Sequence, residues 1–214
     1  MYDLLTILCC TQLFRLLDWS FRIRGYQKPY YAVHVIHNLG IVALTASDLY
    51  NSFTHLHTAF YFPLNMWAID ICVALHAYHI IDYWSALRFD DWLHHGLMIG
   101  IAIPLGLSVP AGALFGTNLF FTTGLPGAIS YSLLFAERNQ LLDKPIVQKY
   151  NALVHTWIRA PGCLAHAALT TALALSSQGL LLQQAIVLLV AMLTAWNGLY
   201  FMEQAIVTRA SKNI

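Results

Sequence analysis

Charge is what this sequence has least of. It carries 11 Lys and Arg and 10 Asp and Glu in 214 residues, 10% of the chain. An ordinary globular domain is about 25% charged, and so few charges cannot cover a solvated surface on a chain of this length. A soluble globular domain is therefore excluded. The formal net charge is only +1, and without a basic excess no nucleic-acid partner is expected. Cysteine is scarce as well. Cys9, Cys10, Cys72 and Cys163 lie in apolar stretches and form no CxxC pair, so neither a disulfide framework nor a cysteine-based zinc site is expected. Repeats and domain-dividing linkers are also missing, which leaves residues 1–214 as one domain. What the chain does have is 58% hydrophobic residues and a mean hydropathy of +0.60. It also has ten histidines, as many as all its carboxylates together. The composition predicts an all-α, polytopic membrane protein.

A membrane span needs about 20 mostly apolar residues. Seven stretches qualify: 3–20, 30–50, 59–82, 91–107, 112–136, 147–174 and 179–207. Pro110 and Gly112 suit a tight hairpin between the fourth and fifth, with one long broken helix, and hence six spans, as the competing parse. Met1-Tyr2-Asp3 carries no basic run, so the first apolar stretch is expected to stay as a span. Lys and Arg then alternate between loops. Arg22, Arg24 and Lys28 follow span one, Arg88 follows span three, Arg138 and Lys144 follow span five, and Arg209 and Lys212 follow span seven. The intervening loops have none. The positive-inside rule therefore predicts an outside N-terminus and a cytosolic C-terminus.

That orientation gives each polar residue an expected depth. His34 and His37 fall in the first turns of span two. His76, His79 and Asp82 are three residues apart and share one face at the cytosolic end of span three. Asp90, Asp91, His94 and His95 open span four, and His155 and Arg159 share a face of span six. Asp48, His55, His57 and His166 are expected on the far side, with Asp70 near mid-depth. Ionisable groups inside a bilayer cost about 2.5–3.5 kcal/mol each on insertion scales, so they usually face a cavity or a partner; interhelical hydrogen bonding is the plainer alternative. Adjacent imidazoles point about 100° apart on a helix, so one of His94 and His95 could act as general base while the other orients a carbonyl. With His76 and His79 they offer four imidazoles, enough for a divalent ion. The HxxxH and HxxHH boxes of membrane di-iron enzymes are missing, however, and no metal is expected. Arg159 could bind a phosphate or carboxylate headgroup or pair with Asp70 or Glu203. Gly124-Leu125-Pro126-Gly127 implies a bent span five.

From about Ala59 to Gln140 the chain resembles the TLC-domain family of ceramide synthases and related lipid-handling membrane proteins. The resemblance is carried by Tyr78-His79-Ile80-Ile81-Asp82, a short loop, and Asp91-Trp92-Leu93-His94-His95. It implies His94 and His95 as catalytic residues; together with the convergence of ionisable groups, Asp82 and Asp91 are expected to orient them as catalytic residues, and His76, His79, Tyr78 and Arg159 are expected as substrate contacts. The implied reaction is acyl transfer, with acyl-CoA as co-substrate and no other cofactor required. Ceramide synthases also carry paired aspartates in the following helix, where this chain reads Thr123-Gly124-Leu125-Pro126-Gly127-Ala128-Ile129-Ser130-Tyr131. The sequence is thus more similar to the smaller, non-ceramide-synthase members. These expectations describe a multi-pass protein of the endoplasmic reticulum or another endomembrane that binds or modifies lipids. A non-catalytic, lipid-binding or structural subunit of a larger membrane assembly is the alternative. The expected partners are membrane lipids, with other membrane proteins or a second copy of the chain alongside them.

Overall fold

The computed structural model describes residues 3–176 and 180–210, and every regular element among them is helical. Seven rods follow one another: α1 (Leu4–Ile23), α2 (Tyr30–Thr54), α3 (Met66–Tyr83), α4 (89–107), α5 (Gly112–Arg138), α6 (Lys144–Ser176) and α7 (Leu181–Ala210). By length and composition α1, α2, α5, α6 and α7 can cross a membrane. The chain is thus an all-α, multi-pass membrane protein. The two rods outside that set, α3 and α4, carry four of the ten histidines.

The packing has the polarity expected of a bundle in lipid, where apolar side chains gain nothing by hiding and polar ones need partners. On α1 the buried residues are Thr11, Phe14 and Asp18, while Leu5, Leu8, Leu13 and Leu16 point outward. Helix α2 is the hub and packs on α1, α3 and α5; α6 and α7 form a second pair. Ile41 of α2, Ala68, Ile69 and Cys72 of α3, Ile103 of α4 and Leu119 of α5 make one core cluster. The other half of α4 meets α3 through imidazole rings.

The boundary of α3 differs from the expected 59–82. Residues Leu56–Tyr61 form a short 3₁₀ turn and the helix begins only at Met66. Pro63 interrupts any earlier start, and Asn65 caps the helix by accepting from the Ala68 amide at 3.2 Å while donating to the Leu44 carbonyl at 2.6 Å. Asp70 therefore lies in the second turn of α3, where it accepts from the Asp3 amide at 3.4 Å. The hairpin parse between α4 and α5 holds. Helix α4 stops at Leu107, and Gly112 opens α5 at φ +51°. A methyl group there would overlap the Ala59 carbonyl, so the turn requires glycine for both conformation and space.

Three rods contain a π turn, and each turn ends two residues before a proline. Met98–Ala102 precedes Pro104, Phe120–Gly124 precedes Pro126, and His155–Arg159 precedes Pro161. An interior proline has no amide to donate and its ring clashes with the carbonyl four residues back, at a cost of about 3 kcal/mol in a regular helix. Widening the preceding turn relieves that clash. The Ile103, Leu125 and Ala160 amides accordingly reach back five residues, to Met98, Phe120 and His155. Gly162, just past the third turn, leaves room for the Phe121 ring in the second.

Gly112→Ala should lower the thermal midpoint in detergent, by a loss of about 1–3 kcal/mol. Gly100→Ala, at a site with no neighbour within 4 Å, should leave the midpoint unchanged or raise it. Equal midpoints for the two variants would contradict the packed turn.

Candidate functional site

Helix α3 aims two imidazoles at α4. His76 is fixed by its own helix, its Nδ1 lying 2.8 Å from the Cys72 carbonyl. A carbonyl only accepts, so Nδ1 carries the proton and Nε2 of the neutral ring holds a lone pair. His34 on α2 is pinned in the same way to the Tyr30 carbonyl at 2.8 Å. Helix α4 starts against Asp91, whose carboxylate accepts from the Arg88 amide at 2.9 Å. That cap fixes the turn from which His94 and His95 extend.

The rings meet at one point. His76 stacks on His94 with centroids 5.3 Å apart, and His95 stands edge-on to His76 at 5.1 Å. His95 Nε2 lies 3.2 Å from His79 Nδ1, and His79 in turn meets His34 at 5.2 Å. Five imidazoles from three helices therefore form one network. His76 and His95 are each 6% exposed, and His76 Nε2 and His95 Nδ1 are buried without a hydrogen-bond partner. Among the described residues no carboxylate hydrogen-bonds to any ring of this network.

The network heads a cavity of about 560 Å³, within the 300–1,000 Å³ typical of small-molecule sites. Toward one end the lining holds His34, His76, His79, His94, His95 and Tyr131; toward the other it holds Phe60, Val109, Leu114 and Val187, and Asn118, His166, Thr170 and Thr194 also line the wall. Arg159 lines it too. Its guanidinium is buried, donates to the Thr122 carbonyl, and sits 4.2 Å from the Phe201 ring centroid. Thr122 is four residues before Pro126, so this is the carbonyl that the proline cannot serve. Arg159 Nε has no partner. Neither expected ion pair forms: Asp70 is at the Asp3 end of α3 and Glu203 is exposed. Among the described lining residues, Arg88 and Arg159 face a single carboxylate, Asp91. The cavity is thus biased toward an anion.

Not every residue expected at the site comes to it. His76, His79, His94, His95, Asp91 and Arg159 line the cavity. Asp82 does not; it pairs with Arg15 at 2.9 Å on the outer side of the helix end. Tyr78 is fully buried elsewhere, donating to Asp18 at 2.6 Å. Asp18 also accepts from Tyr83 and, at 2.8 Å, from Arg22, a structural knot tying α1 to α3. His37 bonds to Asn38 at 2.9 Å and packs edge-on against Phe14, away from the cavity. Sequence reading gave no special weight to His34 or Tyr131, whose rings lie 4.3 Å apart at the cavity's polar end. The only signal for His34 was its place in the first turns of span two.

Compared with known proteins, the chain matches no family model, no curated protein and no solved structure.

The placement of Asp82 gives a test. Asp82→Asn should cost about 1 kcal/mol or less, as for an exposed ion pair, read as a small shift of the thermal midpoint in detergent. A loss of several kcal/mol would contradict the peripheral placement of Asp82.

Proposed function

We propose that the protein is a TLC-like membrane protein that seats one amphiphilic lipid in this cavity and acts on its polar end by acyl transfer, with acyl-CoA as co-substrate. The observation that carries the reading is the polarity of the cavity. Its Phe60–Val187 end suits an acyl chain, and its imidazole end suits a reacting headgroup. The resemblance around His94 and His95 agrees with that reading. In it all seven rods cross an endomembrane such as the endoplasmic reticulum, with the N-terminus outside and the imidazole end toward the cytosol.

Roles follow from free valences. His95 Nδ1 has no protein partner, and in the tautomer where His95 Nε2–H donates to His79 that nitrogen holds a lone pair. It can take a proton from an attacking amine or hydroxyl, or accept the acyl group transiently. His94 is the neighbouring alternative. Arg159 holds a carboxylate, phosphate or thioester oxygen through the N–H groups the protein leaves free. Asp91 positions α4 through its cap. The second reading is a non-catalytic lipid-binding subunit of a larger membrane assembly. It is favoured by the missing carboxylates, both in the 123–131 stretch and on the imidazoles themselves.

Purified protein in nanodiscs should retain an amphiphile detectable by lipid mass spectrometry, and Arg159→Leu should reduce that retention about tenfold or more. The His94→Ala/His95→Ala double variant should keep the lipid but lose acyl transfer from labelled acyl-CoA by about 10²-fold or more. Undiminished turnover in a normally folded double variant would eliminate the chemical role. Lipid retention without turnover in the wild type would support the second reading.

A further inference from the structure

One nitrogen from each of His76, His94 and His95 lies within 4.8 Å of the others, and two of these rings keep a buried ring nitrogen with no partner. We infer that this trio is a binding site for a divalent first-row metal ion, zinc by the chemistry of its donors, with one coordination position open to the cavity.

Zinc holds imidazole nitrogens at about 2.0–2.1 Å, which puts tetrahedrally bound nitrogens about 3.3–3.4 Å apart. From separations of up to 4.8 Å, the trio needs to close by at most about 1.5 Å to meet that spacing. Neutral imidazole is a borderline donor that suits zinc, copper, nickel and iron and discriminates against magnesium and calcium, which take oxygen ligands. The protonation pattern is already the one a metal needs. The Cys72 carbonyl holds the proton of His76 on Nδ1, leaving the buried Nε2 as the donor atom. His79, 3.2 Å from His95 Nε2, can hold the His95 proton on that side and leave the buried Nδ1 as the second donor. Such outer partners fix tautomer and ring orientation at metal sites.

Three protein ligands with a remaining position open to a ligand is the arrangement of catalytic zinc sites. Here that position faces the cavity, since all three rings line it. Three neutral ligands leave the ion's double positive charge uncompensated, and Arg159 adds another in the same cavity. The fourth ligand is therefore an anionic oxygen: a carboxylate or phosphate of an amphiphile, or hydroxide.

The inference rests on the cavity reading but not on acyl transfer. A bound ion occupies the lone pairs that a general base would use. In the loaded protein the ion's open position, and not an imidazole, meets the polar end of the lipid.

The protein should be purified with an affinity tag free of histidine, and its metal content measured. About one zinc or similar ion per chain is expected. After chelation, Co²⁺ titration should give the intense visible absorption of a tetrahedral site. His76→Gln and His94→Gln should each abolish that band. His79→Gln should keep one ion per chain but weaken its affinity about 10–100-fold, and the exposed His57→Ala should change nothing. X-ray absorption on the zinc-loaded wild type should show an imidazole shell of three nitrogens, a readout that needs no variant to fold. Wild-type protein that takes up no Co²⁺, or a zinc shell without imidazole, overturns the inference. Arg159→Leu separates the two proposals, because it should lose the lipid and keep the ion. Lipid retained without any metal leaves the cavity reading standing and removes the metal site. Metal bound without any lipid does the reverse.

Discussion

Backbone hydrogen bonding is the constraint on which this structure turns. In a bundle whose exterior is leucine and lipid, no water replaces a missing partner, and every carbonyl and amide must find one inside. The chain nevertheless places Pro104, Pro126 and Pro161 in helix interiors. Each is accommodated by a π turn immediately before it, and each π turn rotates the side chains that follow. One carbonyl left over by this arrangement, Thr122, is served by Arg159. A guanidinium is thereby drawn into the interior, where it meets the Phe201 ring and, among the described residues, pairs with no carboxylate.

The cavity follows from the same irregularities. The three rods that carry the wide turns, α4, α5 and α6, all contribute to the cavity wall. Helix α4 closes on the core through Ile103, but its first half is held to α3 by imidazole rings. A stretch of bundle joined by polar rings and not by interdigitated leucines is costly unless it serves a purpose. It is also the stretch whose imidazoles line the cavity.

Hydropathy made the elements legible. The seven expected stretches fall on seven helical rods, of which five are long and apolar enough to cross a membrane; the largest error is at the start of α3, where Pro63 and the Asn65 cap override an apolar run. The hairpin at Gly112 could be read from Pro and Gly alone. The site was legible in part. His76 and His79 are three residues apart and His94 and His95 are adjacent, so each pair was visible locally. Spacing alone did not reveal that Asp82, on the same face as His79 by count, would turn to Arg15. Nor did it show that Tyr78 would be claimed by Asp18. Charge pairs form with whichever helix packs alongside, and α1 packs against α3.

The sequence by itself determined that the chain is helical and membrane-bound, because local apolar content and charge scarcity admit little else. It also determined the break at Pro110 and Gly112, because proline and glycine act on their own turns. Tertiary structure alone decided that His34, His76, His79, His94 and His95 meet at one point and that Arg159 lies in the same cavity. Those facts depend on how each rod is rotated about its axis and on which rod lies beside it. Rotation is set by long-range packing, by residues such as Gly162 and Phe121 that are 41 positions apart, and no local period records it.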